Sequence, residues 1–272
     1  MKKRILITGV SSGIGYALAE AYLQTGAEVF GISRKIPENF AGYPKFNFQS
    51  VDLRHFEEIP SKLSEILAGV SALDLVILNA GILGKIGDMH EISARDLSDA
   101  MDVNVWANKE VLDAIFCSEL PVRQVVAISS GAGIMAFRGA TPYCISKAAL
   151  NMMIALYAAE RPTTHFSSIA PFLVHTPMQQ QIGKLPIDRR FTFFETLRTA
   201  RENGDMLSPK NGADLLIRTF GAALKQPSGT FINQNSSSDQ TLCDELLDAQ
   251  PPLGELMEPA TKIAAGSPLF QV

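Results

Sequence analysis

The chain has 272 residues, of which 46% are hydrophobic and 19% charged, and its formal net charge at pH 7 is −4. It is long enough to bury a sizeable core, and this composition excludes an intrinsically disordered chain. The small negative charge argues against nucleic acid or an anionic membrane as a partner. Cys117, Cys144 and Cys243 have no disulfide or metal-ligand spacing, so we expect a reducing, cytoplasmic location. No apolar run is long enough for a signal peptide or a transmembrane helix.

Short apolar strands alternate with amphipathic helices along the chain. Strands are predicted at residues 4–8, 28–33, 46–51, 73–78, 124–129, 166–170 and 229–233. Helices are predicted at residues 13–24, 55–67, 94–117, about 141–160 and 211–224, with an irregular stretch at about 178–208. The alternation indicates an α/β fold, a doubly wound parallel sheet of about seven strands between two helical layers. Without repeats or linkers, residues 1–272 are predicted to form one domain with an irregular tail from about residue 240.

The turn between the first strand and the first helix is rich in glycine, with the spacing G-x-x-x-G-x-G. Glycines let the backbone turn sharply and approach a pyrophosphate, while the helix N-terminus offers N–H groups and a positive dipole end. This context favours a dinucleotide site over a simple glycine turn. The candidate contacts are Gly9, Ser11, Ser12, Gly13, Ile14 and Gly15.

The second strand ends in Ser33-Arg34-Lys35, without an acidic residue. An acid at this place binds the ribose 2′-OH of NAD, whereas an arginine accommodates the 2′-phosphate of NADP. The sequence therefore favours NADP(H) and leaves NAD(H) open, with a solvated basic loop as the alternative reading of Arg34 and Lys35.

Tyr143 and Lys147 stand four residues apart on a predicted helix. Thr141 is a candidate N-cap for that helix, and Pro142 suits its first turn. Residues i and i+4 share one face, so the phenol and the ammonium should emerge side by side. A fixed positive charge favours phenolate, and we expect it to lower the pKa of Tyr143. An ordinary surface pair is the alternative.

These motifs, in this order over about residues 4–235, resemble the short-chain dehydrogenases/reductases, whose fold is Rossmann-like. The resemblance implies that Asp52-Leu53 contacts adenine and that Asn79-Ala80-Gly81 lines the cofactor. It places a water-holding asparagine at Asn104 and a catalytic serine at Ser130, since the spacing to Tyr143 selects Ser130 over Ser129.

The resemblance also implies a reaction, the NADPH-dependent reduction of a ketone or aldehyde to an alcohol, or its reverse. Tyr143 would exchange a proton with the substrate oxygen, and Ser130 would hold that oxygen. Lys147 would tune Tyr143 and bind the nicotinamide ribose, and Asn104 would connect the lysine to solvent through water. The catalytic set is thus Asn104, Ser130, Tyr143 and Lys147.

The segment after the sixth strand departs from the family pattern. Relatives have Pro-Gly followed by a threonine that contacts the nicotinamide, and here Pro171 and Thr176 keep their places while Phe172 replaces the glycine. A bulky residue at positive φ would be costly, so either the turn differs or it never required positive φ. Ser12 stands where NADP-preferring relatives often carry a basic residue.

Substrate and partners are less constrained. Phe191, Phe193 and Phe194 make the predicted lid apolar, and Phe137 and residues 83–89 line the same region, which suggests a hydrophobic or aromatic ketone as substrate. Core packing is an equally good interpretation of these phenylalanines. The Ser33-Arg34 pair that ends the second strand and the irregular lid resemble the sepiapterin and benzil reductase branch of the family. Family members are often homodimers or homotetramers. No metal is expected, because the four histidines share no ligand spacing.

Two other classes remain open. One is a non-catalytic NADP-binding sensor or scaffold, which the complete catalytic set argues against. The other is an epimerase or dehydratase on the same fold, whose members tend to be longer and to have a different glycine spacing.

Overall fold

Seven parallel strands form one sheet in the order β3-β2-β1-β4-β5-β6-β7, in a computed structural model that describes residues 2–234. The strands are β1 Arg4–Thr8, β2 Glu28–Ser33, β3 Phe46–Ser50, β4 Leu75–Leu78, β5 Gln124–Ile128, β6 His165–Ala170 and β7 Thr230–Asn233. The predicted tail from about residue 240 lies outside the described residues. Because β1 pairs with both β2 and β4, the winding reverses there and opens a crevice at the carboxyl ends of the strands.

Helices cover both faces of the sheet, as predicted. They are α1 Gly13–Gln24, α2 Ile59–Ile66, α3 Ala94–Met101, α4 Ala107–Cys117, α5 Thr141–Glu160, α6 Pro177–Gly183, α7 Thr192–Asn203 and α8 Pro209–Ala223. Successive strand residues alternate between two cores: Leu6 packs with residues of α2, α4 and α5, whereas Ile5 and Ile7 pack with residues of α1 and α8. The predicted three-layer α/β architecture is confirmed.

The helix predicted at residues 94–117 is not continuous. A π-helical turn at Asp102–Trp106 separates α3 from α4, with the Ala107 N–H bonded to the carbonyl of Asp102. Such turns are rare and occur frequently at functional sites, and an apolar periodicity does not reveal them. The helix predicted at residues 55–67 begins only at Ile59, after a short 3₁₀ turn at Phe56–Glu58.

The stretch predicted to be irregular is largely helical, because α6 and α7 lie within it. Two backbone hydrogen bonds close its base, one from the His175 N–H to the Leu207 carbonyl and one from the Leu207 N–H to the Leu173 carbonyl, each 2.9 Å long. Phe194 and Leu197 give α7 its buried side, and Gly204 ends it in the left-handed conformation. This helical segment, residues 176–206, is called the lid below.

Candidate active site

Tyr143 and Lys147 lie side by side on α5, next to the carboxyl end of β5. The Lys147 side chain is only 4% exposed; its Nζ donates to the Ile128 carbonyl at 2.8 Å and lies 5.6 Å from the centre of the Tyr143 ring. Thr141 is the first residue of the helix rather than its N-cap, and its hydroxyl donates to the Gly87 carbonyl at 3.3 Å. Pro142 occupies the first turn, as predicted.

Burial dominates the protonation of this pair. It raises the pKa of Tyr143 to about 12, although a hydrogen bond with Ser130 acts in the opposite direction. It lowers the pKa of Lys147 from 10.5 to about 8. The expected lowering of the Tyr143 pKa is therefore wrong for this structure, because loss of solvent disfavours phenolate more than its neighbours favour it. The phenol is protonated and the ammonium mainly charged at neutral pH.

Two adjacent serines at the end of β5 differ in what their hydroxyls do. Ser129 is buried, and its hydroxyl donates to Asn151 Oδ1 at 2.6 Å rather than to Tyr143. Ser130 begins a 3₁₀ turn, and its hydroxyl accepts the Ala132 N–H at 3.1 Å. Its influence on Tyr143 acts to lower the pKa of that phenol. The geometry supports the choice of Ser130 made from spacing.

Asn104 sits in the π-helical turn and is fully buried. Its Oδ1 accepts the Ile82 N–H at 2.8 Å, and its Nδ2 donates to the Ile82 carbonyl and to Ser146 Oγ, both at 2.9 Å. Ser146 in turn donates to the Tyr143 carbonyl at 2.9 Å. Asn104 therefore joins the loop after β4 to the helix that carries Tyr143 and Lys147.

Asn108, which no sequence motif predicts, extends this network. Its Nδ2 donates to the backbone carbonyl of Asn104 at 2.9 Å, and its side chain is almost entirely buried. A buried amide one turn after Asn104 was the available signal, since residues i and i+4 share a helix face.

The glycine turn after β1 is tied to the end of β4. Thr8 Oγ1 accepts the N–H groups of Asn79 at 2.9 Å and Ala80 at 3.0 Å, and Asn79 Nδ2 donates to the carbonyls of Thr8 and Gly9. A Cβ on Gly15 would overlap the Asn79 amide and the Gly9 carbonyl, so only glycine allows this approach. The Asn79 side chain thus fixes the glycine turn at Gly9 against the end of β4.

The residues at the start of α1 fit a bound pyrophosphate. Gly13 has a positive φ of 62°, and the preceding Ser12 is extended, with its side chain making no capping hydrogen bond. Ser11 and Ser12 are exposed, and the first N–H groups of this twelve-residue helix have no partner within the helix. Ile14 is only partly buried against the core below.

Thr176 lies across the crevice from Gly13, at the start of α6. Its Cβ and Cγ2 are 3.5 Å from the position that a Cβ on Gly13 would take. Its Oγ1 accepts the Gln179 N–H at 3.4 Å and so caps α6. Pro171 follows β6 and is half-buried. Phe172 has no positive φ, because Glu119 is the one non-glycine residue with positive φ among residues 2–234. The turn in this protein therefore does not place Phe172 at a positive φ, and the bulky residue causes no backbone strain there.

The predicted ribose contacts Ser33 and Arg34 lie at the end of β2, and the predicted adenine contacts Asp52 and Leu53 lie at the end of β3. Ser33 is buried and donates to the Lys35 carbonyl at 2.8 Å, while Arg34 is exposed. The Asp52 carboxylate accepts two hydrogen bonds from the guanidinium of Arg54, a residue outside the predicted motifs. Leu53 packs in the hydrophobic core.

Three predicted cofactor residues, Asn79, Ala80 and Gly81, form the loop that follows β4. A Cβ on Gly81 would lie 3.1 Å from Asn104 Oδ1 and 3.6 Å from Lys147 Nζ. Ala80 packs against the core beside Asn79. This loop therefore runs from the glycine turn to the catalytic pair.

An apolar cluster joins the lid to Tyr143. Its members are Leu83, Ala140, Ile182, Phe191, Phe194 and Leu197, with Phe137, Tyr143, Cys144, Phe193 and others packed against them. Phe191 and Phe194 are buried, whereas Phe193 stacks on Phe137 with ring centres 3.8 Å apart. Phe191 and Phe194 are therefore core packing that holds the lid. Phe137 and Phe193 are only partly buried and pack, like Tyr143, against the edge of this cluster.

Exposed charges hold the outer side of the lid. Arg190 contacts Asp188 at 2.8 Å, Asp88 at 3.0 Å and Glu91 at 2.9 Å, and Arg138 binds Asp88 at 2.8 Å. Contact with Arg138 lowers the pKa of Asp88.

Neither a metal cluster nor a membrane span is found in residues 2–234. No three His, Cys, Asp or Glu side chains there come together as metal ligands. No helix in that range has the length and apolar character needed to cross a bilayer.

Comparison with known proteins agrees with this geometry. A family model described as short chain dehydrogenase matches residues 3–185. A benzil reductase of Bacillus cereus is 28% identical, covering 84% of this chain and 97% of that protein. An NADPH-dependent pterin aldehyde reductase of Arabidopsis thaliana is 29% identical over 58% of this chain and 69% of that protein. A crystal structure of a Saccharomyces cerevisiae short-chain dehydrogenase/reductase has a TM-score of 0.76 at 23% identity, covering 92% of this chain and all of that one. The chain belongs to the short-chain dehydrogenase family, oxidoreductases that use a nicotinamide cofactor.

Proposed function

We propose that the protein is an NADP(H)-dependent oxidoreductase that reduces a ketone or aldehyde to an alcohol, or catalyses the reverse. One observation carries the proposal: Tyr143, Lys147 and Asn104 are joined through α5 and Ser146 at the carboxyl edge of the sheet, beside the glycine turn. This edge is where open α/β sheets bind their ligands.

The proton chemistry follows from the environment of Tyr143. A bound reduced nicotinamide supplies the hydride. Since burial holds the pKa of Tyr143 near 12, its phenol is a proton donor at neutral pH, suited to the oxygen that becomes negative. Ser130, which acts on the pKa of Tyr143, would hold the same oxygen by a second hydrogen bond.

Lys147 offsets the cost of the phenolate that proton donation leaves behind. Its pKa of about 8 keeps it mainly charged at neutral pH, and only its bond to the Ile128 carbonyl occupies the ammonium among its described contacts. The remaining N–H groups would bind the nicotinamide ribose. Asn104 would hold the water through which the tyrosine is reprotonated.

Several features support NADP(H) as the cofactor. Arg34 is exposed at the end of β2, where no acid stands, and can bind a 2′-phosphate with its planar guanidinium. The related Arabidopsis protein is named for its NADPH dependence. The proposed cofactor contacts are Gly9, Ser11, Ser12, Gly13, Ile14, Gly15, Ser33, Arg34, Asp52, Leu53, Asn79, Ala80, Gly81, Tyr143, Lys147, Pro171 and Thr176.

A hydrophobic or aromatic carbonyl compound is the proposed substrate. Tyr143 packs against the apolar lid cluster, and the stacked pair of Phe137 and Phe193 packs there too. A flat aromatic group suits such surroundings, because ring faces and edges pack well against phenylalanine. The related Bacillus protein is named as a benzil reductase, which is consistent with this class.

The test is nicotinamide oxidation by purified protein with a panel of aromatic ketones, vicinal diketones, aldehydes and aliphatic ketones, each with NADPH and with NADH. We expect turnover with aromatic members of the panel and higher kcat/KM with NADPH. Absence of turnover with every member of the panel and with the corresponding alcohols and NADP⁺ or NAD⁺, despite measured cofactor binding, would overturn the enzyme proposal and favour a cofactor-binding sensor.

We further propose a homodimer or homotetramer of single-domain subunits, acting in the cytoplasm. Trp106, Met152 and Leu156 support the assembly, because they are large apolar side chains exposed on neighbouring helical segments. Light scattering coupled to gel filtration tests this, and a monomer at micromolar concentration would contradict it.

A further inference from the structure

The turn that carries Ser130 is held at its start by two hydrogen bonds of the preceding residue. Ser129 is buried at the end of β5, and its hydroxyl donates to Asn151 Oδ1 of α5 at 2.6 Å. Its backbone N–H donates to the carbonyl of Ile169 in β6 at 2.7 Å. Ser129 is therefore tied both to the sheet and to the helix, and Ser130 is the next residue along the chain.

The other end of the same turn also rests on Asn151. The Gly133 N–H donates to the Ser130 carbonyl at 2.9 Å and so closes the 3₁₀ turn. A Cβ on Gly133 would lie 2.5 Å from Asn151 Nδ2 and 3.0 Å from the Lys147 carbonyl oxygen, so a larger residue here would displace the Asn151 amide. The backbone of the turn thus packs directly on α5 around Asn151.

Tyr143, Lys147 and Asn151 follow one another at intervals of four residues along α5, which places them along one side of the helix. One helix therefore carries the proposed proton donor, the ammonium beside it and the side chain that anchors the Ser130 turn. Because Ser130 would hold the same substrate oxygen that Tyr143 protonates, the alignment of these two hydroxyls depends on how the turn sits on α5.

We propose that Asn151 is a positioning residue for the reaction, which sets the place of the Ser130 hydroxyl relative to Tyr143 by holding Ser129. The inference rests on the proposed carbonyl reduction. Asn151 Nδ2 is buried and makes no hydrogen bond to any described residue, so the anchor acts through Oδ1. A displacement of about 1 Å in an active site lowers the rate by up to about 100-fold, so loss of this anchor should be visible in kcat.

The first test compares kcat, with the best ketone of the panel, and the Kd of NADPH for wild type, Asn151→Leu, Ser129→Ala and the double variant. Each single variant should lower kcat by about 10- to 100-fold and leave the Kd within about twofold. The double variant should be no slower than the slower single variant, because both changes remove the same hydrogen bond. Asn151→Asp, which still accepts from the Ser129 hydroxyl, should keep kcat within about threefold of wild type.

The second test separates positioning from a general structural role, by adding Asn151→Leu to Ser130→Ala. Ser130→Ala alone should lower kcat by about 10²- to 10³-fold. The added Asn151→Leu should then change the residual rate by less than about twofold, because the hydroxyl that it positions is gone. Mass spectrometry of the alcohol formed over hours measures this residual rate. A purely structural role would lower it again, by the factor seen in the wild-type background.

Thr164→Val is the matched control for loss of a buried hydrogen bond. Its hydroxyl is buried and donates to the Val122 carbonyl at 2.8 Å, before the start of β5 and thus at the opposite edge of the sheet. The control should lower thermal stability and leave kcat close to wild type. If Asn151→Leu does not fold, Ser129→Ala in the same two backgrounds carries the test.

Two results would overturn the inference while leaving the carbonyl-reductase proposal standing. One is an unchanged kcat in Asn151→Leu, and the other is an equal loss of rate with and without the Ser130 hydroxyl. Wild-type protein that turns over no member of the panel would instead remove the proposed function, and this inference with it.

Discussion

The catalytic edge and the lid face each other across one crevice, yet they are held in opposite ways. Asn104 and Ser146 fix the catalytic edge by buried hydrogen bonds, several of them to backbone groups. The lid rests on an apolar cluster inside and on exposed ion pairs around Arg190 outside.

This difference explains why the sequence predicts the reaction class but not the substrate. Buried polar networks tolerate few substitutions, because each lost partner leaves an unsatisfied group, so the catalytic edge carries recognisable motifs. Apolar packing accepts many side chains of similar volume, and exposed ion pairs contribute little. The reaction class is therefore visible in the sequence, whereas substrate choice depends on a region without a motif.

The largest expected effect is on the catalytic edge. Tyr143→Phe removes the proton donor, so kcat should fall by about 10²- to 10⁴-fold while the Kd of NADPH stays unchanged. Tyr157→Phe on the same helix is the control, since its hydroxyl donates to Asp113 rather than facing the crevice, and it should keep its activity. A Tyr143→Phe protein with near wild-type kcat would show that the proton comes from elsewhere.

Loss of the buried network should also be costly. Asn104→Ala leaves both polar groups of Ile82 without their partner, so the free energy of unfolding should fall by about 2–4 kcal/mol. Thermal unfolding measures this, with Asn39→Ala as an exposed amide control bonded only to Tyr16 among its described contacts. A change no larger than that of the control would mean that the network does not hold the edge together.

The pH dependence tests the charge on Lys147. Its folded pKa of about 8 lies below its ordinary 10.5, so the ammonium is lost first in the folded enzyme as pH rises. The reduction rate should therefore decline by about tenfold per pH unit above about 8. Between about pH 8 and 10.5 the Lys147 side chain binds more protons in the unfolded chain than in the folded one, so its contribution to the free energy of unfolding rises with pH in that window. A pH–rate profile checks the first effect, and Lys147→Met should lack that limb. A profile for wild type that stays flat to about pH 10 would contradict the role of the ammonium.

Smaller effects are expected in the lid. Phe193→Ala removes one ring of the stacked pair, so kcat/KM should shift several-fold toward bulkier ketones with little change for small ones. Phe48→Ala, at the far edge of the sheet, is the control for general loss of packing. Parallel changes for bulky and small substrates would show that Phe193 does not contact the substrate.

The smallest effect should come from the exposed ion pairs. Arg190→Gln breaks the contacts with Asp88 and Glu91, so amide hydrogen exchange in α7 should become faster while kcat changes little. Arg189→Gln, one residue earlier, is the control. Unchanged exchange in α7 would indicate that apolar packing alone holds the lid.

The parallel sheet of about seven strands, both helical layers and the positions of the glycine turn and the Tyr143–Lys147 pair could be predicted, because each depends on local periodicity or on spacing along one element. The π-helical turn at Asn104 and the burial of Tyr143 could not, since they arise from contacts between distant segments. The fork of Arg54 on Asp52 was within reach, two residues apart. The α7 helix was also within reach, from Phe194, Leu197 and the stop at Gly204.

The most direct test of Tyr143-dependent carbonyl reduction follows a label. NADPH deuterated at its transferable position is incubated with the best aromatic ketone from the panel, and the product is analysed by mass spectrometry. We predict one deuterium on the carbinol carbon of the wild-type product and a negligible amount of product with Tyr143→Phe. Turnover without deuterium in the product, or without net consumption of cofactor, would contradict hydride transfer and point to an epimerase or dehydratase.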